Sequence, residues 1–472
     1  MTHETERLAH FVANLNREAI PAPVAARAKL LLLDMLGIVI AARHEAESTP
    51  SLLAMIDSAG LGGTGATVFG DAAEFGPAAA ALLNGVFAHS LDFDDTHAPG
   101  SFHPSAPVVS AALAAAELTG ASGPALIAGI VAGYETVCRA AMALTPASHY
   151  RRGFHPSATA GTFGAAAAAG RVFGLDPAGI ANAFGVCTSQ AAGTMQFLAN
   201  GSWNKRYQVG AAAMNGLIAA LLAKNGFLGA AEAFEGKQGF LHAHTDEPRP
   251  ELLTDRLGTH WETLEIAIKP YPSCRYSHAA IDAIIDLRAQ HGIRPDEVNS
   301  IVIGLPRTGV GIIAVPMAEK QRVRSIVEGQ FSMPFLAAAA LLRGRFGWSD
   351  YDLVGDAQID RIAASVEIWN DPACEAEFPA NMSGSVKMVT ARGTFSRLVV
   401  CPKGEPGNFV TDTELRAKFT GLAATYLAPG TTDDAIARIL GVEEARSVRD
   451  ILRPALATAP APVAIRRAAG RG

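Results

Sequence analysis

Through its first half the chain is a succession of apolar segments built from alanine and glycine and opened by proline, and this pattern constrains the fold more than any other feature. Pro21 and Pro23 lead into VAARAKLLLLDMLGIVIAAR, and Pro77, Pro107, Pro124 and Pro177 stand at the start of further runs. Proline is tolerated in a helix's first turn, where the amide it lacks would have no intrahelical partner. The spacing predicts helices over 77–89, 107–118, 124–144, 159–173, 177–192 and 209–224, besides the one beginning near Pro21. In that first helix Val24, Leu31, Met35 and Ile38 share a face, while 30–33 is apolar all round, as in a buried helix. Aromatic residues make up only 7% of the chain, so small side chains that let helices approach closely do much of the packing. Nothing before about residue 239 alternates long enough to read as a strand.

The character changes after Trp261. A helix over 278–290 carries Ile281, Ile284, Ile285 and Leu287 on its apolar side. VNSIVIGLP alternates as strands do, through Ile301, Ile303 and Leu305. SVEIWND and SVKMVTARGTFSRLVV read as further strands, the second folding back at Arg392-Gly393. Helices are expected over 331–343 and 351–364. After Pro402 the pattern is helical again, with capping boxes at Thr411/Glu414 and Thr431/Asp434. At 472 residues the chain exceeds what one core supports. The expected fold class is mainly α: a discontinuous all-helical domain of residues 1–265 with 403–472, and a smaller α+β domain of 266–402. The Pro/Ala-rich end, 457–472, is expected to be disordered.

Composition excludes several classes of function. Hydrophobic residues are 49% and charged residues 18%, which excludes a largely disordered chain. The net charge of −6 comes without a basic face, so nucleic acid is not an expected partner. Cys138, Cys187, Cys274, Cys374 and Cys401 are odd in number and widely spaced, which argues against a disulfide framework or zinc–thiolate site and for a reducing compartment. The charged start, MTHETERLAHF, lacks a signal-type apolar core, and the apolar runs are broken by polar residues or glycine. The expectation is a cytoplasmic protein with no membrane partner. The sequence has no GxGxxG between strand and helix, no Walker loop and no GxSxG elbow, which argues against NAD, ATP and serine-hydrolase chemistry.

Four polar clusters stand out against this background. HSLDFDDTHAPGSFHPSAP holds Asp92, Asp94, Asp95, Thr96, His97 and His103. Burying so many ionisable groups is costly unless they pair or work. They could ligate a metal, serve as general acids and bases, or simply hydrogen-bond a loop; their spacing fits no established metal motif. In HYRRGFHPSATAGTFG, Tyr150, Arg151, Arg152 and His155 precede a helix that Ser157 or Thr159 could cap. In GSWNKRYQVGAAAMNG, Lys205 and Arg206 border an apolar helix, a setting that suits a carboxylate-binding or proton-transfer lysine. In KPYPSCRYSHAAIDA, Lys269, Tyr271 and Arg275 precede His278, which sits at a helix N-terminus, where a neutral imidazole is favoured and can act as a base.

Taken in order, RAKLLLLDMLGIVIA, NGVFAHSLDFDDTH, HPSAPV, GFHPSATAGTFGAAAAAG, NKRYQVGAAAMNG, KPYPSCRYSHAAIDA, QFSMPF and PKGEPGNFVTDTELRAKF resemble the MmgE/PrpD family, whose members include 2-methylcitrate dehydratase, cis-aconitate decarboxylase and iminodisuccinate epimerase. The resemblance spans about residues 5 to 430. It implies a helical domain, an α+β lid domain, a homodimer, an active site in the cleft between the domains, and no required cofactor. Asp92 and Thr96 match the first Asp and the Thr of the DFDDT stretch, His103 the histidine of the following HPS, His155 that of GxHP, and Lys205 the lysine of the TKRLH-like stretch. His278 takes the place of the histidine that opens the lid-domain helix, and Tyr150 resembles the tyrosine of the epimerase's HYxxGWHP stretch. The sequence departs from the pattern at Gln208, where a histidine is usual, and at Phe335, where tyrosine is common. The loop between Thr96 and His103 is also one residue longer than in the decarboxylase.

The chemistry shared by these enzymes makes or quenches a carbanion beside a carboxylate, so the site must stabilise growing negative charge. On this reading Lys205, with Arg206 and Arg275, holds substrate carboxylates. His278 and Tyr150 serve as base and acid on opposite sides, His103 and His155 assist in binding or protonation, Thr96 binds substrate, and Asp92 orients a histidine. The expected activity is a cofactor-independent lyase or isomerase of a small di- or tricarboxylate, leaning to a 2-methylcitrate dehydratase-like hydro-lyase. Iminodisuccinate-type epimerisation and cis-aconitate-type decarboxylation are the alternatives. From other classes, the chain could be a metal-dependent hydrolase using Asp92, Asp94, Asp95, His97 and His103, or a carboxylate-binding protein without catalysis.

Overall fold

The computed structural model describes residues 3–456; the tail expected to be disordered lies outside that range. Two compact units divide the chain, one running to Ala267 and resuming at Thr411, the other Ile268–Val410. The segment 403–410 belongs with the second unit because Lys403 N–H donates to Asp282 at 2.7 Å and Ile268 N–H to the Gly404 carbonyl at 3.0 Å.

The first unit is helical apart from short strand pairs, Ala66–Thr67 with Glu74–Phe75 and Thr96–His97 with Ile266–Ala267. At its centre lies the Pro156–Val172 helix, packed against Ser105–Thr119, Gly123–Ala143 and Asn204–Lys224. Every residue from Pro156 to Gly170 on that helix is buried, as a run of alanines with single glycines permits. Gly123–Ala143 is long and apolar enough to cross a membrane, and it is buried inside the fold as a core helix is. The Asp412–Ala423 helix packs on Ala22–Glu45, where Lys418 pairs with Asp34 at 2.6 Å.

Close approach is most demanding where Asn204–Lys224 crosses Pro77–Ala88. A Cβ on Gly210 would stand 2.4 Å from the Leu82 carbonyl oxygen and 2.8 Å from Val86 N. Only glycine fits there, and this crossing places the turn that carries Lys205.

The second unit has a four-stranded sheet in the order Val366–Asn370, Val298–Leu305, Gly384–Thr390, Gly393–Val399, the first pair parallel and the others antiparallel. Helices His278–His291 and Met333–Arg343 build its core, which includes Ile301, Ile303, Phe335 and Met388. Phe335 stacks on Tyr351, with centroids 5.8 Å apart.

Three local expectations are corrected. The hairpin pairs Thr390 with Gly393, so Ala391-Arg392 form the turn and Gly393, at φ +134°, opens the return strand. The helix read over 351–364 is a 3-10 turn Trp348–Leu353 and a separate helix Ala357–Ala363; Gly355 breaks the run at φ +83°, and Asp356 caps the new start through the amides of Gln358 and Ile359. The Thr411/Glu414 capping box is present, but Thr431 makes no cap: its hydroxyl donates to the Ala428 carbonyl and Asp434 pairs with Arg438.

G210A is expected to lower stability by about 1–3 kcal/mol, because backbone rather than a mobile side chain must yield. Chemical denaturation checks it; a midpoint equal to the parent's would contradict the assigned crossing.

Candidate active site

The acidic loop leaves the Pro77–Ala88 helix at His89 and reaches the next helix at Ser105. Asp92, Asp94 and Asp95 are all buried, and each finds a different partner. Asp92 adopts the left-handed φ of +52°, uncommon outside glycine, and pairs with Lys205 Nζ at 2.8 Å. Asp94 Oδ2 is 2.6 Å from His89 Nδ1, and its Oδ1 is 3.4 Å from His103 Nδ1. Asp95 accepts from Ser105 N–H at 3.1 Å and from its hydroxyl at 2.5 Å; the hydroxyl in turn meets Tyr134 OH at 2.5 Å.

Chain-distant groups clamp the loop further. Lys418 Nζ donates to the Phe93 carbonyl at 2.9 Å across 325 residues and lies 3.8 Å from the centroid of that residue's ring. His97 Nε2 meets Glu262 at 3.1 Å while its backbone pairs with Ile266. Glu135 accepts from the amides of Glu262 and Thr263, fixing the strand against which Thr96 and His97 lie. Thr96, expected to bind substrate, is buried on that two-residue strand opposite Ala267.

Around the loop stand the other candidates of the helical unit. His155 immediately precedes Pro156–Val172, and its Nδ1 is 2.7 Å from Gln208 Nε2. Neither Ser157 nor Thr159 caps that helix: Ser157 Oγ accepts from His103 N–H, and the Thr159 hydroxyl lies 2.9 Å from His149 Nε2. Tyr150 donates its phenolic proton to the Ser101 carbonyl at 2.6 Å. Arg206 is half-buried beside Asp92 and Glu47, and burial lowers its pKa.

Burial sets the protonation of these groups. It pushes His89 down to about 4 even against the Asp94 charge. Burial, with the positive charge of Lys205, takes His155 well below the usual imidazole range. Both rings are therefore neutral near pH 7. Burial alone would raise Asp94, but the imidazoles beside it outweigh that and hold it well below the usual carboxylate range. Burial pushes Tyr150 up, so it stays a neutral phenol. Burial also drives Asp95 well above its ordinary value and Asp34 to about 6.

The structure thus gathers Asp92, Lys205, Arg206, His103, His155 and Tyr150 in the helical unit. His278 and Arg275 belong to the second unit. His278 is the buried first residue of its helix, with Nε2–H donating to the Ser273 carbonyl at 3.2 Å and its ring edge-on to Tyr271. Arg275, expected to bind a substrate carboxylate, pairs with Glu405, Nε at 2.6 Å and Nη2 on the second oxygen. The carboxylate that contacts histidines is Asp94, two residues on from Asp92, and Asp92 pairs with Lys205.

Sequence reasoning missed His89 and gave Gln208 no role. The signal for His89 was a histidine at the helix end, five residues before Asp94, inside the quoted motif. His89, Asp94 and His103 place ligand atoms within 4.8 Å of one another and by composition could hold a cation. At 2.6 Å, however, the His89–Asp94 contact is a hydrogen bond with a proton between its atoms. The five residues considered for a hydrolase metal centre turn to Lys205, His89, Ser105, Glu262 and Asp94 respectively instead of converging.

The family model described as MmgE/PrpD N-terminal domain matches residues 6–253, and that described as MmgE/PrpD C-terminal domain matches 271–441. The chain is 29% identical over 476 residues to a cis-aconitate decarboxylase-like protein oryM of Aspergillus oryzae, covering 95% of this chain and 96% of that protein. It is 30% identical to a cis-aconitate decarboxylase of Aspergillus terreus over 72% of this chain and 71% of that protein. It is 29% identical to the cis-aconitate decarboxylase of Homo sapiens over 72% and 70% respectively.

Away from the loop, buried His149 tests the burial account. Its Nδ1–H donates to the His244 carbonyl, and burial pushes its pKa down to about 4. As pH falls from 6.5 to 4 the unfolded chain takes up a proton that the folded chain refuses. The fold therefore loses on the order of 3 kcal/mol from this residue. The difference in denaturation midpoint between the protein and H149Q should shrink over that window; a pH-independent difference would contradict a neutral, buried His149.

Proposed function

The chain belongs to the MmgE/PrpD family, and on that premise we propose that it is a lyase of small polycarboxylates that works without a resident cofactor. The observation that carries this reading is the Asp92–Lys205 pair set beside neutral, buried histidines. Lys205 offers a substrate carboxylate a cation, and Asp92 keeps that ammonium in place before substrate arrives. A site built this way offsets charge as it develops, with little reorganisation at the moment of reaction. His103 and His155 are the groups placed to move protons, and Tyr150 offers a neutral phenol whose own proton is held by Ser101. Arg206 supplies a second cation, and Thr96 a hydroxyl on the same loop. His278 stands as a candidate base from its motif position.

Relatives named as cis-aconitate decarboxylases favour decarboxylation of a cis-aconitate-like tricarboxylate. There the carbon–carbon bond to the departing carboxylate breaks, its electron pair forms a new double bond as the old one shifts, and the far carbon takes up a proton. Lys205 opposes the charge that moves through the allylic system, and a histidine delivers the proton. A second reading, dehydration of a 2-methylcitrate-like hydroxy acid, is favoured by the presence of two histidines, since it needs one base and one acid. Tyr150 supports a third, epimerisation of an iminodisuccinate-like dicarboxylate.

The test is proton NMR of the chelator-treated protein in D₂O with citrate, 2-methylcitrate, cis-aconitate, malates, tartrates and iminodisuccinate. The expected result is conversion of one tricarboxylate with deuterium entering at a carbon next to a carboxylate. Carbon dioxide release marks the decarboxylase, and loss of water from a hydroxy acid to give an alkene without carbon dioxide marks the dehydratase. K205A is expected to slow the reaction at least ~10²-fold, as loss of one charge-stabilising donor does. No conversion of any tricarboxylate, or conversion only before chelation, would contradict the proposal.

A further inference from the structure

His103 and His155 carry different partners, and the chemistry of a partner fixes where an imidazole can keep its proton. His103 Nδ1 faces Asp94 Oδ1 at 3.4 Å. Both atoms are sealed from solvent and neither meets another hydrogen-bonding group. A carboxylate can only accept, so a bare Nδ1 would set lone pair against lone pair in a buried site, whereas Nδ1–H faces the charge favourably. The second Asp94 oxygen is engaged by His89 Nδ1 at 2.6 Å, which stops the carboxylate rotating away. The His89 ring packs edge-on to His103 with centroids 4.7 Å apart and lies 5.9 Å from that of His155, so the two histidines flank one anchor.

His155 is held the other way round. Its Nδ1 stands 2.7 Å from Gln208 Nε2, an amide nitrogen that can only donate. Its backbone N–H donates to the Gly193 carbonyl at 3.1 Å, and a Cβ at Gly193 would come within 3.1 Å of the Gln208 amide. His155 is neutral, so with Nδ1 accepting, its one proton resides on Nε2.

We propose that Asp94 and Gln208 are positioning residues that give the two imidazoles opposite proton polarity, His103 presenting a bare Nε2 that accepts a proton and His155 an Nε2–H that donates one. The acid and base are thereby assigned before substrate binds. In turnover His103 Nε2 takes the proton from the carbon or water it faces and becomes an imidazolium stabilised by Asp94. As His155 gives its Nε2 proton to the leaving oxygen or the carbanionic carbon it takes on imidazolate character, which the Gln208 amide proton at Nδ1 and the Lys205 charge offset, and it recovers the proton from solvent or product. Gln208 matters here because it departs from the histidine usual at that place; a glutamine cannot itself titrate, so it fixes the His155 tautomer without adding a charge. The mechanistic consequence rests on the function proposed above, whereas the tautomers themselves can be measured without any turnover.

The experiment is two-bond ¹⁵N–¹H correlation NMR on the full chain labelled with ¹⁵N-histidine near pH 7.5, with the rings assigned by loss of signals in His103→Gln and His155→Gln. The expected result is His103 as the Nδ1–H tautomer and His155 as Nε2–H. Gln208→Glu, which presents an acceptor, should switch His155 to Nδ1–H and leave His103 unchanged. Asp94→Asn should lower kcat on the converted tricarboxylate by about 10²–10⁴-fold with KM changed little. The same tautomer on both rings of the parent, Nδ1–H on its His155, or a His155 indifferent to Gln208→Glu would overturn the proposal. If the tautomers are as expected and no polycarboxylate is converted, the positioning inference stands and the proposed function falls.

Discussion

Three carboxylates within four residues are buried together, and the site depends on how that burial is compensated. An uncompensated buried charge costs several kcal/mol, and like charges this close raise the cost further. The fold meets the requirement by matching Asp92 with Lys205, Asp94 with His89 and His103, and Asp95 with Ser105, partners drawn from separate elements. Lys418 adds a cation for Asp34 and a donor for the Phe93 carbonyl from the far end of the sequence. The loop holds one conformation, including the left-handed Asp92, because each of these partners over-determines it.

The helical scaffold makes that convergence possible. Alanine and glycine let Pro156–Val172 sit at the centre of four closely packed helices. At Gly210 the approach is close enough to exclude any side chain. Tight packing places the ends of Pro77–Ala88, Asn204–Lys224 and Pro156–Val172 with little freedom, and those ends carry His89, Lys205 and His155. Rigid placement suits a chemistry in which charge moves through a small substrate and the surrounding dipoles must already be oriented.

Much of this was legible in the sequence, and the exceptions have physical causes. Proline-opened helices, the change of character near Trp261 and the strands through Ile301 and Met388 follow from periodicity, which local sequence encodes. Asp92 and His103 stood out because clustered ionisable groups are costly to bury, and Lys205 and His155 because they border apolar helices. The Asp92–Lys205 pairing was not legible, since it joins a loop and a helix 113 residues apart, and the His155–Gln208 contact bridges 53 residues. Arg275 looked like a free cation because its partner, Glu405, lies 130 residues on. Thr431 fitted a capping pattern, but the hydroxyl found a closer acceptor in the turn behind it. Gln208 registered only as a departure; its meaning emerged with the His155 nitrogen beside it.

In the proposed function, Lys205, held by Asp92 beside the neutral rings of His89 and His155, is where a substrate carboxylate docks. Isothermal titration with tricarballylate, a saturated tricarboxylate that cannot react by loss of water or allylic decarboxylation, reads that docking without turnover. Saturable binding to the parent is expected, weakened at least tenfold in Lys205→Met while the melting profile shows the variant folded. Equal affinity for parent and folded variant would contradict it.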